Sequence, residues 1–325
     1  MKAIVHYGYG GPEVLQLKDV DKPVAAEGEV LVRVRAASVN PLDWHFMRGE
    51  PRIMRVSSGL RKPKQTSAGV DFAGTVESIG PDVTQFKPGD EVFGGTSGAF
   101  AEYLSVPQDK QIVLKPANVT FEEAAAVPVA GITALQALRD GGHVAPGQSV
   151  LINGAGGGVG TFAVQIAKSF GATVTAVTST RNLEMVSEIG ADEVIDYTKQ
   201  DFTQGEKRYD LMIDIAGNHP WSECKRVLHP KSTFVIVGGL SKKPWLGPLG
   251  HSAALSVTSF RASQHVVPMF LAKLSREDLV ILQGLLESGQ VKPVIDRTYS
   301  LSEAPEAIRY LEAGHARGKV VISVS

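Results

Sequence analysis

Residues 149–171, SVLINGAGGGVGTFAVQIAKSFG, restrict what this chain can fold into more than any other stretch. SVLIN reads as a buried strand, and from Gly158 onward Val159, Phe162, Ala163, Ile166, Ala167 and Phe170 recur at helical spacing. Between them runs Gly154-Ala155-Gly156-Gly157-Gly158-Val159-Gly160. Glycines let the backbone turn sharply and bring its amides close to a phosphate, and the dipole at a helix start favours negative charge. The strict GxGxxG spacing is altered, since Ala155 holds its first position and Gly157 and Gly160 the other two. A second β-rich run, 173–177, follows at once, as a βαβ dinucleotide-binding unit requires. The plain alternative is a glycine-rich turn with no ligand.

A chain of 325 residues is too long for one hydrophobic core and fits two domains. With 43% hydrophobic and 21% charged residues it has the balance of a globular protein. A formal net charge of −1 gives it no electrostatic reason to seek nucleic acid or an anionic membrane. The single cysteine, Cys224, excludes an internal disulfide framework and a structural zinc site built from several thiolates. The first residues carry charges and glycines where a secretory signal has an apolar core, so a cytoplasmic location is expected. The longest uncharged apolar run, 124–138, is too short for a bilayer and contains Pro128.

Residues 1–122 hold short alternating runs bounded by Gly, Pro and Asp, such as LVRVRAASV, which predict a β-rich first domain. The segment 48–64 breaks the pattern, with six basic residues against Glu50. It reads either as a solvated loop or as a flap whose charge draws in an anion. From Phe121 helices alternate with strands, which predicts a parallel sheet over 123–265. The helix over 121–138 is expected to be interrupted at Pro128 to Gly131, and 253–260 to be an edge strand suited to pairing in a homodimer. Residues 266–325 are expected to return to the first domain: helices over 266–274 and 276–288, a strand at 294–300, a helix at 303–313 and a final strand at 319–324.

Together these residues resemble the quinone oxidoreductases of the medium-chain dehydrogenase/reductase superfamily. Ala155-Gly156-Gly157-Gly158-Val159-Gly160 with Gln165 and Lys168 is similar to their signature, and Asn40-Pro41-Leu42-Asp43, Gly69-Val70-Asp71-Phe72-Ala73-Gly74, Lys87-Pro88-Gly89-Asp90-Glu91-Val92 and Gly318-Lys319-Val320-Val321 agree with it. Thr180-Arg181-Asn182 and 314–319 are similar to the chloroplast-envelope quinone oxidoreductase homologues. The resemblance implies an α/β fold, a Rossmann doubly wound parallel sheet with a GroES-like β-rich catalytic domain. It places the catalytic zinc ligands of the zinc-dependent branch at Asn40, Val70 and Ala130, none of which is a normal zinc ligand. No metal is therefore expected. Without a Lewis acid for an alkoxide, reduction of a quinone or of an α,β-unsaturated carbonyl becomes the natural chemistry.

The second strand of the glycine unit ends in Thr178-Ser179-Thr180-Arg181-Asn182, with no carboxylate before Glu184. An arginine with neighbouring hydroxyls suits a 2′-phosphate, so NADPH is the expected cofactor, although Arg181 in solvent is the plain alternative. The expected cofactor-binding residues are Thr133, Ala155, Gly156, Gly157, Gly158, Val159, Gly160, Ser179, Arg181, Tyr197, Gly238 and Gly239. Thr133 and Tyr197 enter through the resemblance only. The resemblance also carries Asn40 over as a polar contact to substrate or ring, and Asp43 as the residue that ties down its loop. His45 is the only proton donor by chemical type in that segment, against the ordinary reading of an inert loop histidine. A protein that binds NADPH as a sensor without turnover is the alternative in a different class.

Overall fold

The computed structural model describes residues 1–237, 255, 259, 262–268 and 270–324. The chain divides into two compact units: residues 1–132, 274–289 and 293–325 form one, and 133–273 with 290–292 the other. The first division thus falls ten residues later than the sequence pattern suggests, because the helix Phe121–Ala125 and the segment up to Ile132 belong with the first unit.

In the second unit six parallel strands lie in the order Glu193–Asp196, Thr173–Thr178, Ser149–Asn153, Tyr209–Asp214, Leu228–Ile236, His265–Val267. In sequence rank this is 3-2-1-4-5-6, the doubly wound arrangement, in which ligands bind where the order reverses. The reversal lies between Ser149–Asn153 and Tyr209–Asp214, and the glycine turn leaves the first of these. Leu151, Val177, Met212 and Phe234 are buried in the core cluster of this unit.

Three expectations fail here for stated reasons. Residues 265–267 form a strand instead of opening a helix, because Val266 and Val267 are β-branched and pair with Phe234 and Val235. Of the run 253–260 only Leu255 and Ser259 are described, and both are helical, so the sheet edge is His265–Val267. Pro128 opens the helix Pro128–Gln136 instead of interrupting one, since the first helical position needs no backbone donor.

The first unit is built on a seven-stranded sheet in the order Ile295–Ser300, Lys319–Ser323, Glu29–Val39, Asp71–Ile79, Glu91–Gly95, Ile112–Leu114, with Tyr103–Pro107 also pairing with Glu29–Val39. Val30, Val32 and Val34 are buried while Arg33 and Arg35 are exposed, as alternation predicts. The last strand returns to this sheet, antiparallel to Glu29–Val39 with Val320 opposite Val39. Helix Ala304–Glu312 buries Ala304, Ala307 and Ile308 in the same core.

The first part of the basic segment is folded and its arginines are engaged, whereas Arg61, Lys62 and Lys64 are exposed. Residues 52–58 make short helical turns. Arg48 grips Glu312 through two nitrogens at 2.5 and 3.1 Å, and Arg55 donates to the carbonyls of Arg48 and Gly49 while stacking on Tyr9.

Candidate functional site

The glycine turn of the second unit is shaped by contacts that admit no side chain. Gly154 has φ +93°, in the left-handed region. A Cβ on Gly160 would lie 2.2 Å from the Gly154 carbonyl, and one on Gly156 would lie 2.4 Å from Asn182 Nδ2 and 2.6 Å from Thr178 Oγ1. Gly157 differs: a Cβ there meets nothing nearer than the Gly154 carbonyl at 3.7 Å. Gly157 caps the helix Gly158–Ser169, whose first amides have no partner within the helix and open on this space. Behind the turn, Asn153 Nδ2 donates to Asp214 and Asn218 at 2.9 and 2.8 Å, fixing the end of the strand.

A buried amide stands against this turn. Asn182 is 5% exposed, its Nδ2 leans on Ser179 Oγ at 3.4 Å, and its Oδ1 is sealed with no hydrogen-bond partner. The open row of amides beside it is the arrangement that phosphate oxygens satisfy. The residues therefore fit a pyrophosphate-bearing nucleotide.

The other expected nucleotide residues differ in their exposure. Ala155 is fully buried, Val159 and Ser179 are half-buried, Arg181 is exposed and Tyr197 is 53% exposed. Thr133 is half-buried on the helix Pro128–Gln136, and Gly238 and Gly239 lie outside the described residues. An acid does stand beside the end of the second strand, though it comes from the third. Asp196 lies opposite Thr178, and its oxygens accept from Thr180 at 2.6 Å and Thr198 at 2.7 Å. The Thr180 hydroxyl in the first place holds this carboxyl below its ordinary range, so its acceptor capacity is already engaged.

The first unit contains a buried polar cluster. Asp71 accepts from Ser38 Oγ at 2.9 Å, Asn40 Nδ2 at 2.8 Å and the Val129 amide at 3.1 Å, with Lys319 Nζ 3.8 Å away. Lys319 also donates to Asn40 Oδ1 and to the Val39 carbonyl. Asp43 Oδ2 takes the Asn40 amide at 2.7 Å in the capping box that opens the helix Pro41–Arg48, which ties down the loop.

Asn40 is 1% exposed, and its side chain is held by Asp71 and Lys319. Both ends of this amide are thus engaged inside the fold. His45 stacks on Trp44 with ring centroids 3.7 Å apart, and its Nδ1 donates to the Glu50 carbonyl at 2.7 Å. Burial pushes this imidazole below its ordinary value. A neutral ring with its Nδ1 proton given to a carbonyl presents a lone pair at Nε2.

Beside the cluster lies a cavity of about 320 Å³, walled by Leu15, Phe46, Met47 and Ile308, and reached by His6 and Asp43. Neither of the last two was legible as a lining residue, because they come from segments that only the sheet brings together.

Residues 26–117 match the alcohol dehydrogenase GroES-like domain, and residues 189–322 match the zinc-binding dehydrogenase domain. The chain is 36% identical to the chloroplastic quinone-oxidoreductase QR1 of Triphysaria versicolor, over 99% of this chain and 98% of that protein. It is 34% identical to the NADPH-dependent alkenal/one oxidoreductase of Arabidopsis thaliana, over 99% of this chain and 79% of that one. The structure of Escherichia coli quinone oxidoreductase complexed with NADPH superposes with a TM-score of 0.83 at 26% identity, covering 99% and 100% of the two chains. The residues at the zinc positions implied by the resemblance, an amide and two hydrocarbon side chains, do not fit zinc. Among the described residues no three of His, Cys, Asp and Glu are grouped to hold a metal, and no helix is long and apolar enough to cross a membrane. In its domains, its doubly wound sheet and its full-length likeness, this chain belongs to the medium-chain dehydrogenase/reductase superfamily of oxidoreductases, among the quinone oxidoreductase homologues.

Proposed function

We propose that this chain is a zinc-independent, NADPH-dependent reductase of quinones and α,β-unsaturated carbonyl compounds. The observation that carries the reading is the open face of the turn at Gly157 over the first amides of the helix Gly158–Ser169, in a chain whose relatives are named for NADPH and for quinones or alkenals. The chemistry NADPH supplies when bound is a hydride for an electrophilic carbon of the conjugated system. The amides opening the helix Gly158–Ser169 bind the pyrophosphate, and Arg181 meets the 2′-phosphate. Asn40 acts through position: locked by Asp71 and Lys319, it fixes the start of the helix Pro41–Arg48, and with it Asp43, Phe46 and Met47 along the cavity. The apolar walls of that cavity suit the hydrocarbon part of a conjugated carbonyl and keep water from it. Addition to such a system leaves an enolate whose charge is already delocalised, so hydrogen-bond donors suffice where an alkoxide would require a metal.

NADPH consumption across a panel of quinones, alkenals and enones tests the proposal. Turnover of at least one class supports it; tight NADPH binding with no consumption would leave the sensor alternative instead. The homodimer is proposed through the sheet edge His265–Val267, and sedimentation at twice the 34.6 kDa chain mass would support it.

A further inference from the structure

The buried cluster of the first unit contains two acids and one base. Asp43, Asp71 and Lys319 are all nine-tenths or more buried, and two carboxylates against a single ammonium would leave one negative charge uncompensated in a medium that solvates it poorly. One proton retained between the two acids makes the cluster neutral. Its place follows from the donors. Burial pushes the Asp71 carboxyl up as well, but Lys319, Asn40, Ser38 and the Val129 amide all pull it back toward its ionised form. Asp43 receives a single donor, the Asn40 amide on Oδ2. The proton therefore belongs to Asp43. Burial in the first place, and the neighbouring Asp71, push this carboxyl up to about 8.

The second oxygen of Asp43 decides what that proton can do. It pairs with nothing among the described residues, yet it is not sealed: the only sealed side-chain atoms without partners there are Asn182 Oδ1 and Ser232 Oγ. Asp43 lines the cavity, so Oδ1 is the atom that meets its contents. The other titratable groups on the cavity cannot take this role as well: Tyr9 already donates its phenolic proton to the Gly59 carbonyl at 2.7 Å. His6 is 4% exposed, its Nδ1 donates to the Gly8 carbonyl, and burial pushes it down, so its Nε2 presents a lone pair. Lys64 stands on the exposed side of the cavity, in water.

Resting on the reductase reading above, we propose that Asp43 is the catalytic proton donor, its Oδ1 hydroxyl giving a proton to the α-carbon of the enolate left by hydride addition. In this step the Asp43 O–H bond breaks and the α C–H bond forms, using the electron pair of the enolate. Asp43 is left as a carboxylate and regains a proton from water through the open side of the cavity. The net change is one hydride from NADPH and one proton from solvent, added across the C=C bond.

Turnover of a prochiral enone by the wild-type chain in D₂O should place deuterium on one face of the α-carbon. Asp43→Asn should still add hydride at the β-carbon, but deuterate both faces, with kcat about 10²-fold lower. The wild-type rate should fall above about pH 8 and the variant should lack that limb. A variant that retains single-face deuteration and wild-type kcat overturns the proposal, as does a wild-type chain that deuterates both faces. Because Asp43→Asn also alters a capping box, a second measurement uses the wild-type chain without cofactor: in ¹³C-aspartate NMR, one carboxyl should titrate near pH 8. No such carboxyl overturns the proposal even if the variant does not fold. Absence of turnover with every quinone, alkenal and enone overturns the reductase reading and the donor role together, whereas enone turnover with unselective deuteration overturns the donor role alone.

Discussion

Gly157 separates ligand binding from folding more cleanly than any other position in the turn. A Cβ there lies 3.7 Å from the Gly154 carbonyl, an ordinary contact, and the backbone at φ −91°, ψ 177° accepts any residue. Alanine lowers the entropy of the unfolded chain, worth about 0.4–1 kcal/mol, while losing a similar amount as a helix cap. The melting temperature of Gly157→Ala should therefore stay within a few degrees of wild type. The added methyl enters the space over the first helical amides, where the pyrophosphate is proposed to lie. Losing one charge-assisted hydrogen bond costs about 1.5–3 kcal/mol, a roughly 10- to 100-fold weaker Kd for NADPH. Fluorescence titration with NADPH beside a thermal melt reads both quantities. Unchanged affinity would refute the placement of the phosphates. A large drop in melting temperature would refute the claim that this space is empty of protein.

Arg181→Ala should weaken NADPH by about 10- to 100-fold and leave NADH unchanged in the same titration, and equal losses would remove the arginine from the 2′-phosphate. Lys319→Met leaves the buried Asp71 without its counter-ion and should cost about 3–5 kcal/mol in urea unfolding, where a loss under about 1 kcal/mol would show that the cluster is not charged as described. Asp43 also predicts a slope of stability with pH. Its carboxyl binds a proton in the folded chain up to about pH 8, which the unfolded chain releases near its ordinary 3.8, so the folded state loses stability from this group as pH rises between those values and not beyond. Urea midpoints of wild type and Asp43→Asn should thus converge at low pH and separate, with the variant gaining, toward pH 8.

The doubly wound unit was legible because its signals are local: SVLIN, the glycine turn and the helix that follows sit within 149–171, and each element matches its own periodicity. Strand 265–267 was not, because three residues carry little pattern and pairing with Leu228–Ile236 decides them. The site divides in the same way. Gly156 and Gly160 announce themselves, whereas Asn182 becomes notable only when its amide is seen against Gly156. The buried partners of Asn40 are not legible in the sequence because they lie 31 and 279 residues away, on strands that only the assembled sheet makes neighbours. The residue type of His45 likewise does not reveal that the carbonyl of Glu50, five residues on, takes its Nδ1 proton. The carboxyl that reaches the cavity, Asp43, sits two residues before His45.

The most direct measurement follows the hydride itself. NADPH carrying deuterium at the transferable C4 position is consumed with an α,β-unsaturated ketone, and the product is read by ²H NMR. The account predicts a saturated ketone with the label on the former β-carbon. Label on the carbonyl carbon of an alcohol, or no transfer at all, would contradict it.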